Sequence, residues 1–127
     1  MGISVRDDSI SGSLAALAGP KPEDAWHRLV EWGPDVLPDV RGAYDMAKET
    51  GFRCLLIGIM AELRDGDSIQ RLARSLRDPD PVIWKSALDA LVTIGGGEAV
   101  DALRQATGQA PPEQHEWFAE AIEQLSG

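Results

Sequence analysis

The sequence predicts an all-α fold built from a repeated helical unit, and three observations lead to this prediction. Apolar residues recur at helical spacing, the same pattern returns after about 31 positions, and proline and glycine separate the apolar segments. No stretch alternates apolar and polar residues over enough positions to predict a strand. A repeat of this length is typical of stacked helical units, each of which covers the apolar face of its neighbour.

The first set of apolar residues defines one helix in each unit. Trp26, Leu29 and Trp32 are spaced by three residues, which places them on one side of a helix. Each of these positions is apolar again in every later unit when the same interval is applied. The later members are Ile57, Met60 and Leu63, then Leu88, Leu91 and Ile94, and finally Ala119, Ile122 and Leu125.

A second set of apolar residues defines the partner helix of each unit. Leu37 and Val40 begin this set, and their equivalents follow at nearly the same interval, one position longer at the first step. A small residue stands three positions after the second member of each pair, as close approach between stacked helices would require. The apolar equivalents are Ile69 and Leu72, then Val100 and Leu103, and the small residues are Ala43, Ser75 and Ala106.

Helix boundaries follow from proline and aspartate, which favour a first helical turn, and from glycine, which favours a helix end. The predicted helices span residues 22–32, 34–49, 51–64, 67–77, 81–94, 98–107 and 112–125. Residues 1–12 have no clear period, and we expect them to be mobile. The chain is therefore divided into a flexible N-terminal segment, residues 1–19, and a repeat domain, residues 20–127.

Composition excludes several classes of protein. The chain has 127 residues, a net charge of −9 and one cysteine. A single cysteine rules out an intramolecular disulfide and fits a reducing cytoplasm. No apolar run approaches the length of a membrane span. The negative charge disfavours nucleic acids and anionic membranes, and it suits a basic protein partner.

The residues of the third unit resemble a known repeat family. Asp78-Pro79-Asp80-Pro81 is followed by a helix containing Ala87-Leu88 and Ala90-Leu91, and then by Glu98-Ala99-Val100 with Ala102-Leu103. This order is similar to the HEAT-like repeat family of the short bacterial, PBS-lyase type. The resemblance implies an α-solenoid of about three and a half antiparallel helix pairs, whose second helices line a concave face. It also implies protein binding, since most members of the family bind other proteins.

Pro38 departs from the family pattern, because it falls within the second helix of the first unit. Proline in a helix interior costs about 3 kcal/mol. It is therefore expected either in the first turn of that helix or at a kink.

The charged candidate binding residues were selected by position on the second helices, and two tryptophans of first helices were added for their side-chain chemistry. Arginine at every third position predicts a basic stripe on the helix 67–77, flanked by acidic residues of the preceding unit. Arginine suits planar carboxylate contacts, and tryptophan is enriched at binding interfaces. A solvated face with internal salt bridges is the alternative. The candidates are Arg71, Arg74, Arg77, Arg104, Asp39, Asp45, Trp84 and Trp117.

Catalysis and metal binding find little support, and we expect neither an enzyme nor a cofactor. His27 and His115 lie three repeats apart, and Cys54 stands in an apolar helix where a thiol usually packs. Gly95-Gly96-Gly97 lacks the lysine of a phosphate-binding loop. Asp65-Gly66-Asp67 and Asp78-Pro79-Asp80 are interpreted as turns and helix caps.

The sequence therefore favours a non-enzymatic module that binds a protein through its second helices, as an adaptor or as an acidic inhibitor of the immunity type. One alternative is an accessory subunit or a lyase-like factor of an enzyme, in which Cys54 would be the nucleophile. A weaker alternative is DNA binding through the arginine-bearing helix, as in some HEAT-like proteins.

The predicted helix 51–64 is apolar on nearly every side and must be covered all round. Residues 13–18, a second copy of the chain in a homodimer, or a partner protein would each provide that cover.

Overall fold

The all-α prediction is confirmed. A computed structural model describes the backbone of residues 5–126 and the side chains of residues 10–126. Within this part the chain forms eight α-helices and two short 310 helices, and it contains no strand. The helices are α1 (Val5–Leu17), α2 (Glu23–Trp32), α3 (Leu37–Met46), α4 (Thr50–Glu62), α5 (Ile69–Ser75), α6 (Pro81–Ile94), α7 (Gly97–Gln109) and α8 (Pro112–Ser126).

Helix α6 shows how local sequence sets the boundaries. It spans the predicted residues, because the Asp80 carboxylate accepts a hydrogen bond of 2.9 Å from the Val82 amide at the first turn. At the other end Gly95 has a φ of 71°, a conformation in which a side chain would be strained. Gly95 and Gly96 therefore separate α6 from α7, in agreement with the prediction that glycine marks a helix end.

The second helices of the first two units are shorter than predicted. Each is preceded by a 310 turn, Pro34–Val36 before α3 and Gly66–Ser68 before α5. Pro38 lies in the first turn of α3, where its missing N–H removes no helical hydrogen bond. This observation selects the first of the two placements expected for Pro38.

Helix α1 corrects the prediction of seven helices. It lies in the N-terminal segment, and its residues Ile10, Ser13 and Leu17 are buried. The same spacing of three and four residues recurs in α3 at the buried residues Leu37, Val40 and Tyr44. These two helices lie closer together in the sequence than equivalent helices of the later units, so a search at a constant interval misses α1. The expected mobility of residues 1–12 stays a prediction, and residues 1–4 lie outside the described part of the chain.

The chain divides into two compact units, and the first is Met1–Leu63. In it, α1 packs against α2 and α3, and α4 packs against the same two helices. Trp26 of α2 donates a hydrogen bond of 3.2 Å from its indole Nε1 to the Leu55 carbonyl of α4. A Cβ atom at Gly58 would lie 3.3 Å from that nitrogen, so the close approach of α2 and α4 favours glycine there.

The second unit is Arg64–Gly127, and its described helices pack in the same order. Helix α5 packs against α6 and α7, and α8 packs against those two helices as well. Helices two apart in the sequence thus lie side by side within this unit, α5 with α7 and α6 with α8. The Arg64 guanidinium donates a hydrogen bond of 2.7 Å to the Thr93 carbonyl near the end of α6.

Buried residues recur at the repeat interval. The set of equivalent positions that is buried in every unit, however, begins at residue 25, one position before the predicted Trp26. Leu29, Met60 and Leu91 are buried as predicted, whereas Ala119 is exposed and its predicted place in the core is wrong. The residues that precede Trp26 and its equivalents are all buried. These are Ala25, Leu56, Ala87 and Phe118.

Helix α4 buries Leu56, Ile57, Ile59 and Met60, and its other apolar side chains are half-buried. The exposed large apolar residues of the described chain are Met46, Val82 and Trp117, none of which belongs to α4. Helix α1 packs mainly against α2 and α3. Residues 13–18 therefore do not have α4 as their principal contact, although they were one of the three covers expected for that helix. A homodimer through residues 51–64 stays a prediction.

No helix formed by residues 5–126 combines the length and the apolar character that a bilayer span needs.

Candidate functional site

The predicted arginine stripe begins on α5 but does not remain on that helix. Arg71 is half-buried and Arg74 is exposed in the last turn. Arg77 lies beyond the helix end, because the Arg77 and Asp78 amides bond to the carbonyls of Arg74 and Ser75 and tighten the chain into a turn. Arg77 is exposed. The prediction that a single helix extends through residue 77 is therefore wrong.

Helix α7 lies beside α5 and carries the fourth arginine, Arg104, which is exposed. The Gln70 side-chain amide of α5 donates a hydrogen bond of 3.3 Å to the Glu98 carboxylate of α7. Arg104 follows the buried Leu103, and its equivalent on α5 is Ala73. The second unit thus exposes Arg74, Arg77 and Arg104, which we call the arginine surface.

The two acidic candidates lie in the first unit. Asp39 is in the first turn of α3 and Asp45 is near its C-terminal end, and both are exposed. Asp45 also takes part in an interaction within the chain. Their predicted role of flanking the arginines stays a prediction.

Arg77 lines a groove of about 400 Å³ at one edge of the second unit. Two turns form its walls, the α5–α6 turn around Pro79 and the α7–α8 turn around Pro111. Ala110 and the two prolines supply apolar surface, the buried Leu76 and Phe118 border the groove, and Gln109 and Gln114 supply amides. Apolar walls with a few polar groups are typical of sites that accept a side chain or a short segment of a ligand.

This groove is not predicted by the sequence, because its walls come from segments that are distant in the sequence and that only packing brings together. The signal available in the sequence was the recurrence of a proline-containing turn in successive units. These turns are Asp78-Pro79-Asp80 and Ala110-Pro111-Pro112.

The tryptophan candidates differ in exposure. Trp84 of α6 is 6% exposed, whereas Trp117 of α8 is 47% exposed. Their rings meet edge to face with centroids 5.7 Å apart, and Trp84 packs in the same way on Phe118 at 5.9 Å. Such edge-to-face pairs stabilise aromatic clusters. Trp84 is therefore part of the core, and Trp117 presents the cluster to solvent.

Lys85 lies over this aromatic cluster. Its Nζ atom is 4.7 Å from the centroid of the Trp117 ring and 5.6 Å from that of Trp84. Both distances are within the range of a cation–π contact. Two hollows border the exposed indole, one of about 270 Å³ beside Glu116 and Glu120 and one of about 150 Å³ between α6 and α8.

Each group considered for catalysis contacts another group of the chain. Cys54 is half-buried and takes part in an interaction within the chain. His27 packs edge-on against Trp26 at 5.1 Å, and a ring nitrogen of His115 lies 2.8 Å from the Ala110 carbonyl. Among the described residues, no group of three or more histidine, cysteine, aspartate or glutamate side chains could hold a metal ion.

The two aspartate pairs form turns and caps, as their interpretation predicts. Asp65 is buried, and its carboxylate accepts hydrogen bonds from the Asp67 amide and from the Ser68 hydroxyl. The Asp78 carboxylate accepts a hydrogen bond of 2.9 Å from the Asp80 amide. These carboxylates satisfy backbone donors at the starts of helical segments.

In comparisons with known proteins, no family model, no curated protein and no solved structure matches this chain.

Proposed function

We propose that the protein is a non-enzymatic module that binds another protein through the second helices of its second unit. The observation that carries this proposal is the arginine surface, in which Arg74, Arg77 and Arg104 are exposed and Arg77 lines a groove of about 400 Å³. A guanidinium group binds carboxylates in a planar, two-pronged geometry, and an adjacent apolar groove would hold a side chain of the same partner.

The proposal includes the finer architecture. The helix pairs would stack as a HEAT-like α-solenoid of about three and a half pairs, with α1 as an additional second-type helix before them. Packing of helices two apart within each unit supports this arrangement. A compact chain of this length would have a radius of gyration of about 14 Å. Small-angle scattering should give a larger value for a solenoid, and a value no larger than that of a compact chain would contradict it.

Charge reversal tests the arginine surface. The double variant Arg74→Glu with Arg77→Glu changes the net charge by −4, and both side chains are exposed. Lys21→Glu with Lys48→Glu makes the same change in the first unit, where Lys48 is exposed and Lys21 is at the surface before α2. Arg71 is left in place because it is half-buried and already takes part in an interaction.

The wild type and the two double variants would be tagged, incubated with native extract and washed at fixed salt. Mass spectrometry would then identify the proteins that each of them captures. Affinity for a recovered partner would then be measured with purified proteins. We expect the arginine variant to bind about ten-fold more weakly, since hot-spot residues commonly contribute more than about 1 kcal/mol, and the lysine variant to bind normally. Equal affinity of the arginine variant and the wild type, at unchanged helicity, would reject this surface.

A further inference from the structure

A second surface of the same unit has the opposite charge and an exposed aromatic ring at its centre. Trp117 is one of three exposed large apolar side chains in the described chain. Its ring rests edge to face on Trp84, which is itself buried. An indole supported in this way offers apolar area with little loss of conformational freedom on binding, a property of tryptophan at interface hot spots.

Carboxylates surround this indole. Glu116 and Glu120 line the hollow of about 270 Å³ on one side, and Asp89 and Glu120 line the hollow of about 150 Å³ on the other. Helices α6 and α8 together carry five carboxylates and one lysine, so with neutral histidine their combined charge is −4. The field at this surface attracts cations and repels phosphates. We call Asp89, Glu116, Trp117 and Glu120 the acidic tryptophan patch.

The chain itself places a cation on the patch. The Lys85 ammonium lies 4.7 Å from the centre of the Trp117 ring, and Lys85 is the single lysine or arginine on these two helices. The indole face is thus in a position to accept an ammonium or guanidinium group. Because Lys85 is exposed and its side chain is long and flexible, a group from outside can displace it at low cost.

We propose that the acidic tryptophan patch binds a basic segment of a protein partner, with one arginine or lysine side chain over Trp117 and its neighbours beside Glu116, Glu120 and Asp89. This site is separate from the arginine surface and has the opposite charge preference. Either proposal therefore stands if the other fails.

The first test measures binding of a defined cationic peptide, N-acetylated and C-amidated hexa-arginine, to the full chain by NMR at about 50 mM salt. The Trp117 indole N–H signal, assigned with Trp117→Phe, should shift in a saturable way. Loss of the aromatic ring in Trp117→Ala should weaken binding about three-fold or more. Unchanged affinity of Trp117→Ala, or shifts confined to other regions, would overturn the proposal.

A charge-matched pair separates the patch from general acidity. Glu116→Gln with Glu120→Gln removes two exposed carboxylates from α8, and Glu23→Gln with Glu31→Gln removes two exposed carboxylates from α2. Both variants have a net charge of −7, two units above the −9 of the wild type. We expect the α8 variant to bind hexa-arginine about five-fold more weakly and the α2 variant to stay within about two-fold of wild type. Equal losses in both would show that the peptide responds only to net charge.

Lys85 gives the sharpest test, because its removal should strengthen binding. Lys85→Gln vacates the face of Trp117, and we expect hexa-arginine to bind about three-fold more tightly. Lys48→Gln makes the same change in net charge at an exposed position of the first unit and is the matched control. An equal gain in both variants, or no gain in Lys85→Gln, would contradict competition between Lys85 and the peptide.

Discussion

Four buried residues show how equivalent positions of this chain accept different side chains. Ala25, Leu56, Ala87 and Phe118 occupy the same position in successive units, and each is at most 1% exposed. Their size ranges from a methyl group to a phenyl ring, so burial is common to the position while side-chain volume is not. Close packing of the interior requires neighbouring residues to compensate for each change in volume. The repeat therefore determines which positions are buried more strongly than it determines residue type.

Arg64 is the residue for which backbone conformation gives the clearest prediction. Its φ is 50°, a left-handed conformation just after α4 that glycine adopts at little cost. Arg64→Ala keeps the strain and loses the hydrogen bond to the Thr93 carbonyl, whereas Arg64→Gly loses the bond but relieves the strain.

We therefore expect Arg64→Gly to be about 1 kcal/mol more stable than Arg64→Ala in urea unfolding. Alanine normally stabilises helices relative to glycine, and the same substitutions at the exposed position Glu120 inside α8 provide the control. Greater stability of Arg64→Ala than of Arg64→Gly would show that residue 64 is not left-handed in solution.

At the scale of helices, α1 belongs to the packed structure of the first unit. It contacts α2 and α3, and the Arg28 guanidinium of α2 lies 3.4 Å from the Ser13 hydroxyl as a weak hydrogen bond. The buried residues of α1 have the same spacing as those of α3, but serine occupies the middle position. The serine is polar, and α1 precedes α3 by fewer positions in the sequence than separate the later equivalent helices. A search for apolar periodicity at a constant interval therefore does not find α1.

The packing of α1 predicts that Leu17→Ala destabilises the protein. Leu17 is 1% exposed, and truncation of such a leucine costs about 3 kcal/mol through lost burial and the cavity left behind. The free energy of unfolding would be measured in urea by circular dichroism. Leu14→Ala, on the same helix at a half-buried position, should cost less than half as much. Equal and negligible effects of the two substitutions would indicate that α1 is detached in solution.

At the scale of the whole molecule, charge is the property that acts over the longest distance. The sequence has 21 acidic and 12 basic side chains, and its isoelectric point is about 4.5. Molecules of net charge −9 repel one another at pH 7, and this repulsion is lost as the carboxylates become protonated near the isoelectric point.

We therefore expect the second virial coefficient from light scattering to be positive at pH 7 in about 20 mM salt and to fall towards negative values near the isoelectric point. At pH 7, about 500 mM salt should reduce the repulsion, because the Debye length falls below about 5 Å. Net attraction at pH 7 in low salt would mean that apolar or local charge contacts outweigh the net charge.

Local patterns in the sequence were enough to predict the all-α class, seven of the eight described helices and the turns between them, because helical spacing, proline, glycine and aspartate act over short distances along the chain. Its repeat also located some of the buried positions of the later units, among them Met60, Leu91 and Leu103. Contacts between helices, by contrast, bury Trp84 and leave Trp117 exposed, place Arg77 beyond the end of α5 at a groove, and hold Lys85 over an indole. These outcomes depend on which side chains meet across different helices, and spacing within one helix carries no information about its neighbours.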